Sequence, residues 1–230
     1  MSGLPKVDLP VYEHFLVGMN KKVKFRCFTV KEQKILLTAK EEQGIDQQLL
    51  AVKQVVELCT MGKVDVDTLP YFDLEDLFLQ IRIKSVSDTS DIGYEYVDKE
   101  GAKTPIDVKI DLKEAKVVTL PNHNKTIKFS DTIGIVMRYP SITEMTGNIN
   151  QEDLVIKCIE SIFTKDEIYN TCDFSTEDME AWLDGLGTEQ LMKIKEFYDT
   201  MPRLRLEKEI DLPDDRKHKL VFEGLESFFA

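Results

Sequence analysis

Residues 69–85 read Leu69-Pro70-Tyr71-Phe72-Asp73-Leu74-Glu75-Asp76-Leu77-Phe78-Leu79-Gln80-Ile81-Arg82-Ile83-Lys84-Ser85, and this stretch decides the fold. Asp73 stands as the cap of a helix that follows Leu69-Pro70. Leu74, Leu77, Phe78 and Ile81 recur at helical spacing and mark its main face. Leu79 and Ile83 fall elsewhere on its circumference. A helix that is apolar on more than one side is central in a core or faces a partner. Arg82 lies one turn after Phe78 and has two readings. Its stem packs while its head reaches an acidic neighbour of the same fold, or it contacts another protein, since Arg and aromatic side chains dominate interface hot spots. Phe72, Phe78 and Arg82 are therefore partner-contact candidates.

Upstream, residues 1–20 read as an arm with Pro5 and Pro10 and a short apolar piece at Phe15–Val17. Lys22-Val23-Lys24-Phe25-Arg26-Cys27 alternates with a period of two, the pattern of a half-buried strand. Thr29 and Glu32 form a capping box that opens a helix running to Gln43, with Gly44 ending it. A second helix spans 46–60, with Leu49, Val52, Val55, Val56 and Cys59 on one stripe.

Downstream, the period becomes two from Ile92 to Tyr139. Short strands are expected at Tyr94/Tyr96, Ile106–Leu112, Val117/Val118, Ile127/Phe129 and Ile133–Met137, with turns at Asp98–Thr104 and Asn122–Lys125. Helices return at 151–163, after Ser175, and from Leu191 to Pro202. Two strand-like runs follow, Leu204–Ile210 and Lys217–Phe222, separated by the turn Pro213-Asp214-Asp215. The expected class is α+β: a helical body, an inserted antiparallel β region and a C-terminal hairpin. Its segments are 1–90 (strand and helices), 91–140 (β region) and 141–230 (helices, hairpin and apolar tail). Leu225, Phe228 and Phe229 at the chain end imply docking, on this chain's own body or on another.

The 230 residues are 42% hydrophobic and carry a formal charge of −12. A chain of this length buries roughly 70% of its unfolded surface and needs no staple to fold. The acidic balance argues against nucleic acid and anionic membranes as broad partners. No run approaches membrane-span length, and Met1–Pro10 is no signal peptide. Cys27, Cys59, Cys158 and Cys172 form no CxxC pair and are expected as reduced, buried thiols. His14, His123 and His218 are isolated. There is no phosphate loop, no GxSxG elbow and no HExxH helix. Acidic clusters at Asp65/Asp67, Asp73/Glu75/Asp76, Glu177/Asp178/Glu180 and Asp214/Asp215 could in principle serve a two-metal hydrolase. Those at Asp73 and Glu177 fall in first helical turns, where the helix dipole favours negative charge. No catalytic residue, metal ligand or cofactor is assigned.

Several stretches together carry a resemblance. They are Val23-Lys24-Phe25-Arg26 running into Phe28–Leu37; Cys59-Thr60, Val66-Asp67 and Leu69–Phe78, continued by Arg82, Lys84 and Ser85; Phe197-Tyr198 with Met201-Pro202; and Gly224-Leu225 with Ser227-Phe228-Phe229. The ordered set resembles the baseplate hub assembly proteins of T-even-like phages and is densest in residues 22–86. The resemblance implies a protein without enzymatic activity, chaperone-like or hub-associated, whose partners are tape-measure and hub proteins. It implies residence in the host cytoplasm during assembly, or in the tail baseplate of the virion; self-association is compatible with either. Some relatives carry paired cysteines near the β region and the C-terminal hairpin, as in a zinc ribbon. Here those stretches read Tyr94-Glu95-Tyr96-Val97-Asp98 and Leu212–Lys217, without cysteine, so a ribbon would have to stand without zinc. The rival functions are a permanent structural subunit of the baseplate and a carboxylate-dependent metal hydrolase using Asp65, Asp67 and Asp73.

Overall fold

In the computed structural model, residues 7–42, 44–97, 100–146, 150–214 and 216–224 are described. The expected helix end at Gln43, parts of the turns at Asp98 and Asp215, and the tail residues Leu225, Phe228 and Phe229 lie outside them. The class is α+β, and the chain forms two compact units. The first comprises residues 1–66, 72–118 and 203–230; the second comprises 67–71 and 119–202.

The first unit opens with β1 (Val11–Leu16), paired antiparallel with β2 (Lys21–Arg26). The expected arm thus contains a strand. Tyr12, His14 and Leu16 turn inward and Val11, Glu13 and Phe15 outward, but with apolar residues on both faces the sequence does not show this alternation. Val23 and Phe25 of β2 are buried as the alternation requires. Helix α1 (Val30–Glu41) begins at the Thr29–Glu32 capping box. Helix α2 (Ile45–Cys59) buries Leu49, Val52, Val55, Val56 and Cys59. Gly44 caps the start of α2 rather than stopping α1.

Helix α3 (Tyr71–Ser85) buries Phe72 through Leu79, Ile81 and Ile83. It starts ahead of Asp73, so Asp73 sits inside the first turn. Its carboxylate does not cap α3; it accepts the backbone N–H of Gly18 at 2.9 Å and of Met19 at 2.8 Å in the β1–β2 turn. Leu79 and Ile83, the second apolar face read from the sequence, pack into a core with Val108, Ile110, Leu204, Leu206 and Ile210. Val108 and Ile110 come from β4 (Lys103–Asp111), which pairs with β3 (Thr89–Val97), and the other three come from a second sheet. That sheet has the order β11–β10–β5, with β5 (Lys116–Val118), β10 (Arg203–Asp211) and β11 (Lys217–Glu223). Side chains join the β3 strand to the turn between β10 and β11. The Tyr96 hydroxyl donates to Asp214 Oδ2 at 2.8 Å, and Arg216 Nε donates to the same oxygen at 2.7 Å.

The second unit is a four-stranded antiparallel sheet with helices. Its strand order is β6 (Thr126–Lys128), β7 (Ile133–Met137), β8 (Ile159–Thr164), β9 (Ile168–Asn170). Its helices are the single turn α4 (Ile142–Met145), α5 (Gln151–Cys158), α6 (Thr176–Asp184) and α7 (Thr188–Thr200). The helix expected over 151–163 ends at Cys158. Ile159, Ile162 and Phe163 then form a central strand, where β-branched and aromatic residues fit well. Gly134 permits the β6–β7 approach: a Cβ there would lie 2.4 Å from the Ile127 carbonyl oxygen and 2.5 Å from the Phe163 ring. The core holds Ile135, Met137, Cys158, Ile159, Met179, Leu183, Ile194 and Phe197, with Trp182 packed against it.

Strand β5 joins the C-terminal hairpin, whereas β6 and β7 join β8 and β9. Of the thiols, Cys59 and Cys158 are buried as expected. Cys172 is exposed and Cys27 is partly exposed, which corrects the expectation that all four are covered.

Candidate functional site

Helix α1 buries only Glu32 and Ala39. Ala39 of α1 and Ala51 of α2 are both buried, and both line the space between these helices and α3. The start of α1 is tied to the end of α3: Phe28 N–H donates to Ser85 Oγ at 3.0 Å, and the Cys27 thiol donates to the Lys84 carbonyl at 3.0 Å. Between these attachments a groove of about 310 Å³ opens among α1, α2 and α3. Phe28, Leu36, Leu37, Val52, Phe78 and Val86 supply its apolar lining. Leu37 is 53% exposed and Val86 64% exposed at its rim.

Arg82 lies in the same groove. Its Nη1 is buried and has no hydrogen-bond partner among the described residues. Burial lowers the affinity of the guanidinium for its proton, yet an arginine stays charged in proteins. A buried N–H left without an acceptor costs about 1–3 kcal/mol. Lys40 also lines the groove, with Gln33 and Gln48, and no carboxylate does. In a chain with 42 acidic and 30 basic side chains, this is a local reversal of charge.

The structure thus brings Phe78 and Arg82 together. Phe72 is buried and does not line the groove. Leu225, Phe228 and Phe229 lie outside the described residues. On the groove's other wall, Val52 was read from the sequence only as part of the α2 stripe, and Leu36 and Leu37 were not read as site residues; Leu37 off the buried side of a weakly covered helix was the available signal.

The acidic residues of the hydrolase alternative are arranged differently. Asp73 has both oxygens engaged by the β1–β2 turn. Burial raises its carboxyl above the ordinary carboxylate range, with the Gly18 and Met19 N–H groups pulling the other way. Asp76 meets His14 Nε2 at 2.7 Å. Among the described residues no three His, Cys, Asp or Glu side chains are grouped to hold a metal ion.

No described helix is long and apolar enough to cross a membrane. No curated protein and no solved structure matched the chain. A family model described as T4 bacteriophage base plate protein matches residues 9–230. That match spans nearly the whole chain, both units included, and the chain therefore belongs to the T4 bacteriophage base plate protein family.

Proposed function

We propose that this base plate protein works without catalysis, as an assembly chaperone or scaffold for the tail hub, and that it holds a hub or tape-measure protein through the α1–α2–α3 groove. The supporting observation is the groove itself: an apolar channel open at its rim, lined by Arg82, whose buried Nη1 has no acceptor among the described residues. Recognition of an amphipathic segment in such a channel uses apolar anchors for affinity and a polar group for register. On this reading the protein acts in the host cytoplasm, covering a hub or tape-measure surface until the hub closes around it. The experiment is co-purification of the tagged protein with individually expressed hub and tape-measure proteins, followed by assay of purified tails. Recovery of one of them, with the protein missing from finished tails, supports a chaperone. Fixed stoichiometry in tails identifies a permanent subunit instead, and recovery of neither removes the proposal.

A further inference from the structure

The arginines of this chain divide sharply. Arg26 pairs with Glu32, Arg138 with Glu144, Arg203 and Arg205 with Glu223, and Arg216 with Asp214. Arg82 has no carboxylate partner among the described residues, and its buried Nη1 has no hydrogen-bond acceptor there. Its neighbours in the groove are apolar, neutral or, at Lys40, cationic. A guanidinium left in such a place weakens the free fold. It becomes favourable when an acid enters, because an arginine–carboxylate pair is bidentate and charge-assisted.

We infer that the groove takes an apolar segment of another tail protein that carries an Asp or Glu, with the carboxylate seated on Arg82 and a large apolar side chain beside Phe78. This rests on the assembly reading above and adds the chemistry of the partner. The volume of about 310 Å³ equals roughly ten water volumes at about 30 Å³ each. It holds a few side chains and not a whole helix, so the segment lies across the rim and inserts its anchors.

The probes are short overlapping peptides covering the hub and tape-measure proteins of the same phage, titrated against the full-length protein by fluorescence anisotropy. Wild type, Arg82→Met and Arg82→Glu are compared. Arg82→Met removes the orphaned charge and keeps the stem, so its melting temperature should rise, and lost binding then cannot come from unfolding. The peptides that bind should contain an acid next to Leu, Phe or another large apolar residue. Affinity should fall roughly tenfold or more in Arg82→Met. Replacing the peptide's acid by its amide should give a similar loss, and combining the two changes should add little. Equal binding by wild type and Arg82→Met, or equal binding of acid-free peptides, overturns the inference while leaving the assembly reading standing. Self-association that Arg82→Glu abolishes would assign the groove to a second copy and also overturn it. Failure of every peptide and of the intact hub and tape-measure proteins removes the assembly reading itself.

Discussion

The guanidinium of Arg26 lies 2.9 Å from the carboxylate of Glu32, at the end of β2 and the first turn of α1. The same carboxylate accepts the Thr29 backbone N–H at 2.7 Å. The second unit repeats the device where β7 ends: Arg138 reaches Glu144 at 2.8 Å, and Glu144 accepts the Ser141 N–H at 2.7 Å. Both obey the order Arg, then Ser or Thr three residues on, then Glu three further. Each fixes a strand-to-helix corner with a charge-assisted bond and a capping box.

These two corners set an acid limit on stability. Burial pushes the Glu32 carboxyl up, but hydrogen bonds from Arg26 and Thr29 outweigh it and leave it near about 2 against an ordinary 4.5. Glu144 follows the same balance, with Arg138 and Ser141 bringing it to about 2. A depressed carboxyl contributes stability that is full above the unfolded value and is lost as pH falls toward the folded one. Urea midpoints should therefore drop as pH falls below about 4.5 toward about 2. Glu32→Gln should flatten that drop and remove about 2 kcal/mol of stability at neutral pH.

His123 adds a second pH dependence at a higher range. Its Nδ1 meets Thr200 Oγ1 and its Nε2 meets the Tyr139 hydroxyl, each at 3.0 Å. Burial first, and Lys125 second, hold the imidazole below the ordinary 6.5. The unfolded chain then takes up a proton that the folded one refuses, so stability falls as pH drops through 6.5. Thermal unfolding across this range should show the slope in wild type and a smaller slope in His123→Gln.

Gly134 should tolerate no side chain. The Ile127 carbonyl at 2.4 Å from the would-be Cβ is backbone and cannot swing aside. Gly134→Ala should destabilise the protein by about 1–3 kcal/mol in chemical denaturation.

The joined hairpins predict indifference to metal. Tyr96, Asp214 and Arg216 tie β3 to the β10–β11 turn by side-chain bonds alone, and Arg216 together with Tyr96 holds the Asp214 carboxyl at about 2. Chelator should leave the melting temperature unchanged. Tyr96→Phe should lower it by removing the hydroxyl that links β3 to the β10–β11 turn.

Much of this architecture was legible in local pattern. Thr29–Glu32, the stripe from Leu49 to Cys59 and the alternation of Val23 and Phe25 each encode their element within a few residues. The two apolar faces of α3 were also readable, and the second proved to hold Leu79 and Ile83 against the sheets. Failures arose where a long-range partner decides. Val11–Leu16 needs β2 across the turn, Ile159–Thr164 needs β7 and β9, and Asp73 serves amides more than fifty residues away in sequence. The groove was half legible. Phe78 and Arg82 stood out on one helix, but the lack of an acceptor for Arg82 is a property of three helices together.

Val118 and Arg203 are Cα partners in the β5–β10 pairing, so the chain leaves the first unit and re-enters it at adjacent positions. This imposes a timetable on synthesis at the ribosome. The second unit can complete its sheet while β10 and β11 are still unmade, and until they emerge Leu79 and Ile83 lack the cover of Leu204, Leu206 and Ile210. Contacts so remote in sequence form late and leave sticky surface open meanwhile. A nonsense mutation between Val118 and Arg203 would strand the nascent first unit half-clad, without Leu204, Leu206 and Ile210 over Leu79 and Ile83, a prime target for quality-control proteases.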